Sequence, residues 1–312
     1  MSRGYDRDEG DERGWQEAES QASRMPLSQG RAGGSAAAPE KQLHPMSEPG
    51  PWDPARDPKN REHSEIRYGR HVYNWSELER AVMVEVGRFR TMDEEDVSRV
   101  FYGEIDGPFR QDLKELLSQG LIERRSVVVG KNRDIRHVIV LSKKGKKLLG
   151  RQGDVERGQA IYAWFVKPAE ASHDASVYRM YEAEAAEILS RGGTIRRVVL
   201  DFEFKKKIYA ELNKKGDYGE LSYGRRQEEL AQLYELPIVD GKIALPDLRI
   251  EYDTQEGDRS HIDLELATEN YRPGHMRQKT SAGFKLYGVN TTSRGHRAGW
   301  EGRELTRDVL AL

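Results

Sequence analysis

Pro108-Phe109-Arg110-Gln111-Asp112-Leu113-Lys114-Glu115-Leu116-Leu117-Ser118-Gln119-Gly120-Leu121-Ile122-Glu123-Arg124-Arg125 runs from an amphipathic helix into a strand with almost no connection. Phe109, Leu113, Leu116 and Leu117 recur at helical spacing. Asp106 is placed to cap this helix, and Pro108 suits its first turn, where a missing N–H costs little. Gly120 takes the left-handed position that ends helices. A strand follows over 121–129, then the polar turn Gly130-Lys131-Asn132-Arg133-Asp134, then a second strand over 135–141.

Upstream, Leu78, Val82, Val86 and Phe89 predict a helix over 75–88. Met92 to Asp96 supply acids suited to a helix start, and Val97, Val100 and Phe101 continue a short second helix. Downstream, Ser142 caps a helix over 143–149. Three helices and a hairpin in this order predict a winged helix-turn-helix, whose architecture places one helix in a DNA groove and a basic loop beside it. The helix over 109–119 would be the reading helix. It offers Arg110, Gln111, Lys114 and Gln119 to base edges and phosphates. Lys131 and Arg133 stand at the wing tip, with Lys143, Lys144, Lys146 and Lys147 just beyond. The expected partner is double-stranded DNA, bound with steep salt dependence. Asp112, Glu115 and Glu123 dilute the positive field, so a protein-docking wing is the competing reading.

The bulk properties limit the rest. The chain has 312 residues, 33% of them charged and only 36% hydrophobic. Net charge is −2, so DNA contact requires a local basic face. Cysteine is absent, which excludes disulfides, thiolate zinc sites and cysteine nucleophiles. No apolar run long enough for a membrane span and no secretory signal are visible, so a soluble cytoplasmic protein is expected. Residues 1–70 are rich in Gly, Ser, Pro and both charges and are expected to be a disordered tail. The remaining division is 71–152 winged helix, 153–170 linker, 171–290 a second α/β domain, and 291–312 an undefined tail.

In that second domain an amphipathic helix is expected over 175–191 and a strand over 194–204. Helices follow over 204–213 and 225–233, strands over 244–252 and 261–267, and a helix over 273–287. Alternation puts Asp263, Glu265 and Ala267 on one face of the later strand. Asp247, on the preceding strand, can meet them across the hairpin. Clustered carboxylates favour Mg²⁺, a hard ion that takes oxygen ligands, polarises a phosphodiester and activates water. The eight histidines show no metal-ligand spacing, and no phosphate-binding glycine loop or serine-nucleophile elbow is present.

Pro246-Asp247 followed by Asp263-x-Glu265 is similar to the PD-(D/E)xK core of restriction-endonuclease-like nucleases, in which a helix precedes a carboxylate-bearing hairpin and a helix and strand follow. The motif's lysine position falls on Ala267 if Glu265 is its acid, and on Glu265 if Asp263 is. Lys279 and Lys285, beyond the hairpin, are the lysines available to replace it, and Glu184 or Glu187 on the leading helix could add a ligand. The order of the modules resembles the plasmid replication-relaxation family of conjugative plasmids and integrated mobile elements. The resemblance rests on residues 113–125, His173-Asp174, Pro246-Asp247, Glu265, and His275-Met276-Arg277-Gln278-Lys279 with Tyr287. It implies an α+β protein, a winged helix followed by a degenerate restriction-endonuclease-like domain that supplies further DNA contact, a partner surface or weak metal-dependent nicking, the last with Asp247, Asp263 and Glu265 on Mg²⁺ and Lys279 or a metal-bound hydroxide assisting. The alternatives are a non-catalytic transcriptional regulator that homodimerises through its second domain, and an accessory protein of a relaxase or other mobilisation protein.

Overall fold

Capping chemistry sets the first helices. Ser76 caps α1 (Glu77–Phe89) in a reciprocal box with Glu79, satisfying two backbone N–H groups that the first turn leaves unpaired. Leu78, Val82, Met83, Val86 and Phe89 form its buried face. Asp93 ends the two-residue strand β3 (Met92–Asp93) and caps α2 (Glu94–Tyr102), accepting from the Glu95 N–H at 3.1 Å. Gly103 closes α2 at φ 59°. The next helix, α3 (Asp106–Ser118), begins one residue earlier than a capping Asp106 requires. Ile105 is its cap and supplies no side-chain bond. Gly120 follows at φ +67°, as its position predicts.

The computed structural model describes residues 62–103, 105–129, 133–153, 155, 158–164, 168–213, 220–267, 273–288 and 309–311. All of them fall in one unit, His44–Leu312. Most of the expected tail over 1–70 lies outside the described residues, but 62–70 do not. Ser64–Tyr68 (β1) and His71–Trp75 (β2) pair antiparallel around Gly69, which sits at φ 62°. Only Tyr73 and Trp75 of this hairpin are buried. So few apolar anchors explain why the segment reads as tail.

Strands β4 (Ile122–Val129) and β5 (Asp134–Leu141) form the expected hairpin, and β3 adds to it in the order β3-β5-β4. Ser142 caps α4 (Lys143–Gln152), which extends one turn past the expected end.

The second half opens on α5 (Pro168–Ser190), which starts two turns before its apolar stripe. Strand β6 (Thr194–Leu200) follows, then α6 (Asp201–Leu212) and α7 (Glu220–Leu233). The expected strand over 194–204 thus ends four residues early. Asp201 and Glu203 favour a helix start there, and Phe204 is buried from the helix instead. A small hairpin, β7 (Ile238–Val239) with β8 (Lys242–Ile243), leads to β9 (Leu248–Asp253) and β10 (Arg259–Ala267). The helix expected over 273–287 divides at Gly283 (φ 80°) into α8 (Pro273–Ser281) and β11 (Lys285–Gly288). Val309–Ala311 (β12), in the expected undefined tail, pairs with β11. The sheet order is β12-β11-β10-β9-β6, antiparallel from β6 to β10 and parallel from β10 to β12. The chain is therefore a mixed α+β protein. Among the described residues no helix is long and apolar enough to cross a membrane.

The halves share one continuous core. Tyr178 of α5 is fully buried with its ring 5.0 Å from Phe89 of α1. Burying side chains of this size contributes about 2 kcal/mol each. Two ion pairs frame the contact: Arg179 with Asp96 at 2.8 Å, and Arg99 with Glu182 at 2.6 Å. The segment expected as a linker is fastened at both ends of its apolar run. Gln159 exchanges hydrogen bonds with the Val198 backbone (2.8 and 3.0 Å), and the Tyr162 N–H donates to Gly87 O at 2.7 Å.

Candidate functional site

Asp247 stands at the entry to β9, and the antiparallel register carries on from Leu248 opposite Leu264. Extending that register by one residue sets Asp247 opposite Glu265, which puts the two carboxylates at neighbouring positions on one face of the hairpin. Asp247 Oδ2 accepts the Leu266 N–H at 2.9 Å, which fixes its carboxylate against β10. Glu265 is buried on β10. Lys279, one face of α8, reaches back to it: Nζ lies 2.8 Å from Glu265 Oε2 and donates to Leu245 O at 2.5 Å. Lys279 thus meets the carboxylate from the following helix, while Ala267 holds the strand position and Lys285 points elsewhere.

His173, near the start of α5, joins through Asp247. Its Nε2 is 3.6 Å from Asp247 Oδ2 and its Nδ1 is 3.8 Å from Asp174 Oδ1. Burial opposes charging of this imidazole, yet the close carboxylates of Asp174 and Asp247 outweigh it and push its pKa up to about 10. Burial alone would raise Asp247, but the His173 bond and charge, the Leu266 N–H and the Lys279 charge hold it below the usual carboxylate range. At neutral pH His173 is therefore an imidazolium beside the Asp247 carboxylate, with Glu265 and Lys279 paired next to them. Asp174 continues outward to Arg90, 3.7 Å away, at the end of α1.

Asp263 does not join this cluster. Both its oxygens are taken by Arg249, at 2.6 Å from Nε and 2.8 Å from the second terminal nitrogen. Arg249 is itself buried and spends its other donors on the carbonyls of Tyr234 and Glu235. Glu184 and Glu187 are also elsewhere. Glu184 Oε2 accepts from Tyr287 at 2.6 Å, and Lys285 lies 2.7 Å from both glutamates.

Of the expected DNA-contacting residues, Arg110, Gln111, Lys114, Lys143 and Lys144 are exposed, as is Arg133 at φ 58°. Lys131 lies outside the described residues. Arg110 pairs with Asp106 at 2.9 Å and Gln111 with Glu115 at 3.2 Å. Lys144 donates to Gln119 O at 3.1 Å. Gln119 is not on the outer face as expected: its amide bonds the Asn74 N–H and carbonyl, tying α3 to β2. An open cavity of about 680 Å³ runs between α2, α3 and β4, bordered by Glu94, Ser98, Phe109, Arg110, Lys114 and Arg124.

No protein family matches this chain, and no curated protein matches it. Sequence spacing left His173 isolated, because only the approach of α5 to the start of β9 brings it to Asp247. Lys205, on α6, also belongs nearby. It pairs with Asp201, whose N–H donates to Asp247 O at 3.1 Å.

Asp247 and Glu265 are hard oxygen donors of the kind Mg²⁺ takes. Each already has a cationic side chain beside it, His173 at Asp247 and Lys279 at Glu265.

Proposed function

We propose that this chain is a DNA-binding protein of plasmid or mobile-element type, with a winged helix-turn-helix that grips duplex DNA and a restriction-endonuclease-like half that nicks it. The observation that carries the reading is the convergence of Asp247, Glu265 and Lys279 at one end of a hairpin. Supporting it, α5 precedes the antiparallel β6-β9-β10 run, and α8 leads to β11 parallel to β10. The three helices α1 to α3, the β3-β5-β4 sheet and the exposed Lys114, Arg133 and Lys143 support the winged reading.

Asp247 and Glu265 would hold Mg²⁺, with Asp263 outside the ligand set. When bound, the ion supplies polarisation of the phosphodiester and a more acidic water. The chain's own residues do the rest. Lys279 Nζ leaves Glu265 to orient a water or a phosphate oxygen. His173, charged at neutral pH, stands beside Asp247 to neutralise phosphate charge and to supply a proton to a departing oxygen.

Incubation with supercoiled plasmid tests this. Nicking in Mg²⁺, its loss in EDTA and its loss in Asp247→Ala are expected. Intact plasmid under all conditions with duplex binding retained would replace the reading with a non-catalytic DNA-binding regulator. Two observations favour that second reading: Ala267 stands at the strand position of the motif's lysine, and each carboxylate already has a protein cation beside it.

A further inference from the structure

A histidine and two carboxylates meet where the N-terminal hairpin joins α1 and α3, away from the Asp247 cluster. His63, just before β1, places Nε2 3.1 Å from Glu79 Oε2 and 3.2 Å from Glu115 Oε2. One donor atom from each residue lies within 4.8 Å of the others. An imidazole Nε2 carries at most one proton, yet two carboxylates converge on it. Glu79 is fully buried in α1. Its Oε2 also accepts the Ser76 N–H, while its Oε1 is buried with no hydrogen-bond partner. A buried carboxylate oxygen left without a donor is costly. Burial, with the charge of Asp112 adding to it, raises Glu79, against the Ser76 N–H and His63.

The spacing suits a tetrahedral ion. Zinc bonds of about 2.0–2.1 Å to nitrogen and oxygen put tetrahedral ligands about 3.3 Å apart. The two distances from His63 Nε2 are close to that edge. An imidazole donor selects zinc over magnesium, which prefers an all-oxygen shell.

We propose that His63, Glu79 and Glu115 bind one Zn²⁺, with Glu79 Oε1 or a water completing the shell. The ion clips the β1–β2 hairpin to α1 and to α3, the helix that carries Arg110 and Lys114. It would satisfy both carboxylates at once, which a single imidazole N–H cannot do. This goes beyond the proposed nuclease reading and does not depend on it.

The test is calorimetric titration of the full chain with Zn²⁺, using wild type, His63→Ala, Glu115→Gln and Asp247→Ala. His63 and Glu115 are 37% and 38% exposed, so neither substitution empties the core. Circular dichroism checks that each variant is folded. One zinc per chain at this site is expected, with affinity falling at least about tenfold in both the His63 and Glu115 variants and unchanged in Asp247→Ala. Cobalt should give the visible absorption of a tetrahedral site in wild type and not in His63→Ala. Zinc affinity retained in either folded variant, lost only in Asp247→Ala, or absent from the wild type overturns the proposal.

Discussion

Lys279 on α8 holds its ammonium 2.8 Å from Glu265 Oε2 on β10, and this pair stands beside the pair of His173 with Asp247. On the nuclease reading the two residues do different jobs, and their variants should fail differently. Glu265→Gln should abolish metal-stimulated nicking and weaken Mg²⁺ binding together. Lys279→Ala should lower the rate by about 10²–10⁴-fold, the range for a lost proton-transfer or orienting group, with Mg²⁺ affinity retained. Plasmid-nicking rates beside Mg²⁺ titrations check both. Equal rates in wild type and Lys279→Ala would remove lysine from the chemistry.

Asp263 should behave as a structural residue. Arg249 and Asp263 are both buried and form a two-point ion pair, so removing one partner leaves an unpaired charge in the sheet. Arg249→Ala is expected to cost about 3–5 kcal/mol. Asp263→Asn should lower the denaturant midpoint while leaving Mg²⁺ binding intact. A variant of Asp263 that melts like wild type but no longer binds Mg²⁺ would return this residue to the ligand set.

The His173 imidazole makes stability depend on alkaline pH. Its folded pKa, about 10, lies above the ordinary histidine value of 6.5. Its contribution is therefore complete below about pH 6.5 and is lost as pH rises through about 10. Thermal melts of wild type should fall across that window relative to His173→Ala. Parallel curves for the two proteins would contradict the charged imidazole.

DNA affinity should depend on Lys114 and Lys143 through charge. Replacing either with alanine is expected to weaken binding to all duplexes alike and to reduce the salt slope by about 1. Fluorescence anisotropy at several salt concentrations reads this directly. An unchanged slope in both variants would place the DNA elsewhere or nowhere.

Gly145 offers a test of the packing beneath α4. A Cβ there would meet Leu121 O at 2.2 Å and a Leu141 methyl at 2.8 Å. Gly145→Ala must therefore push the helix off the β4–β5 hairpin and should cost about 1–3 kcal/mol. Chemical denaturation measures it.

The first half of the described chain was legible because its signals are local. Ser142, Gly103, Gly120 and the Leu113–Leu116 stripe each act within one or two turns. The β1–β2 hairpin was missed because Tyr73 and Trp75 are its only buried anchors. The stretch 285–288 reads as the end of a helix in sequence because four residues carry no usable period, and only the pairing with β10 decides it. At the candidate site, Asp247, Glu265 and Lys279 followed from strand alternation and helix order. His173 and the capture of Asp263 by Arg249 did not, since each depends on which segments the sheet brings together.

The helix α5 is held at one end by Arg90 through Asp174, beside His173, and along its length by Asp96 and Glu182 through Arg179 and Arg99. Its 23 residues extend about 34 Å. The element that anchors the α1–α3 half therefore also carries the imidazole of the carboxylate cluster. On the proposed reading α5 is a fixed gauge: the distance along DNA between the groove that is gripped and the phosphate that is cut is set by a strut, and lengthening the connection over 153–167 would not change it.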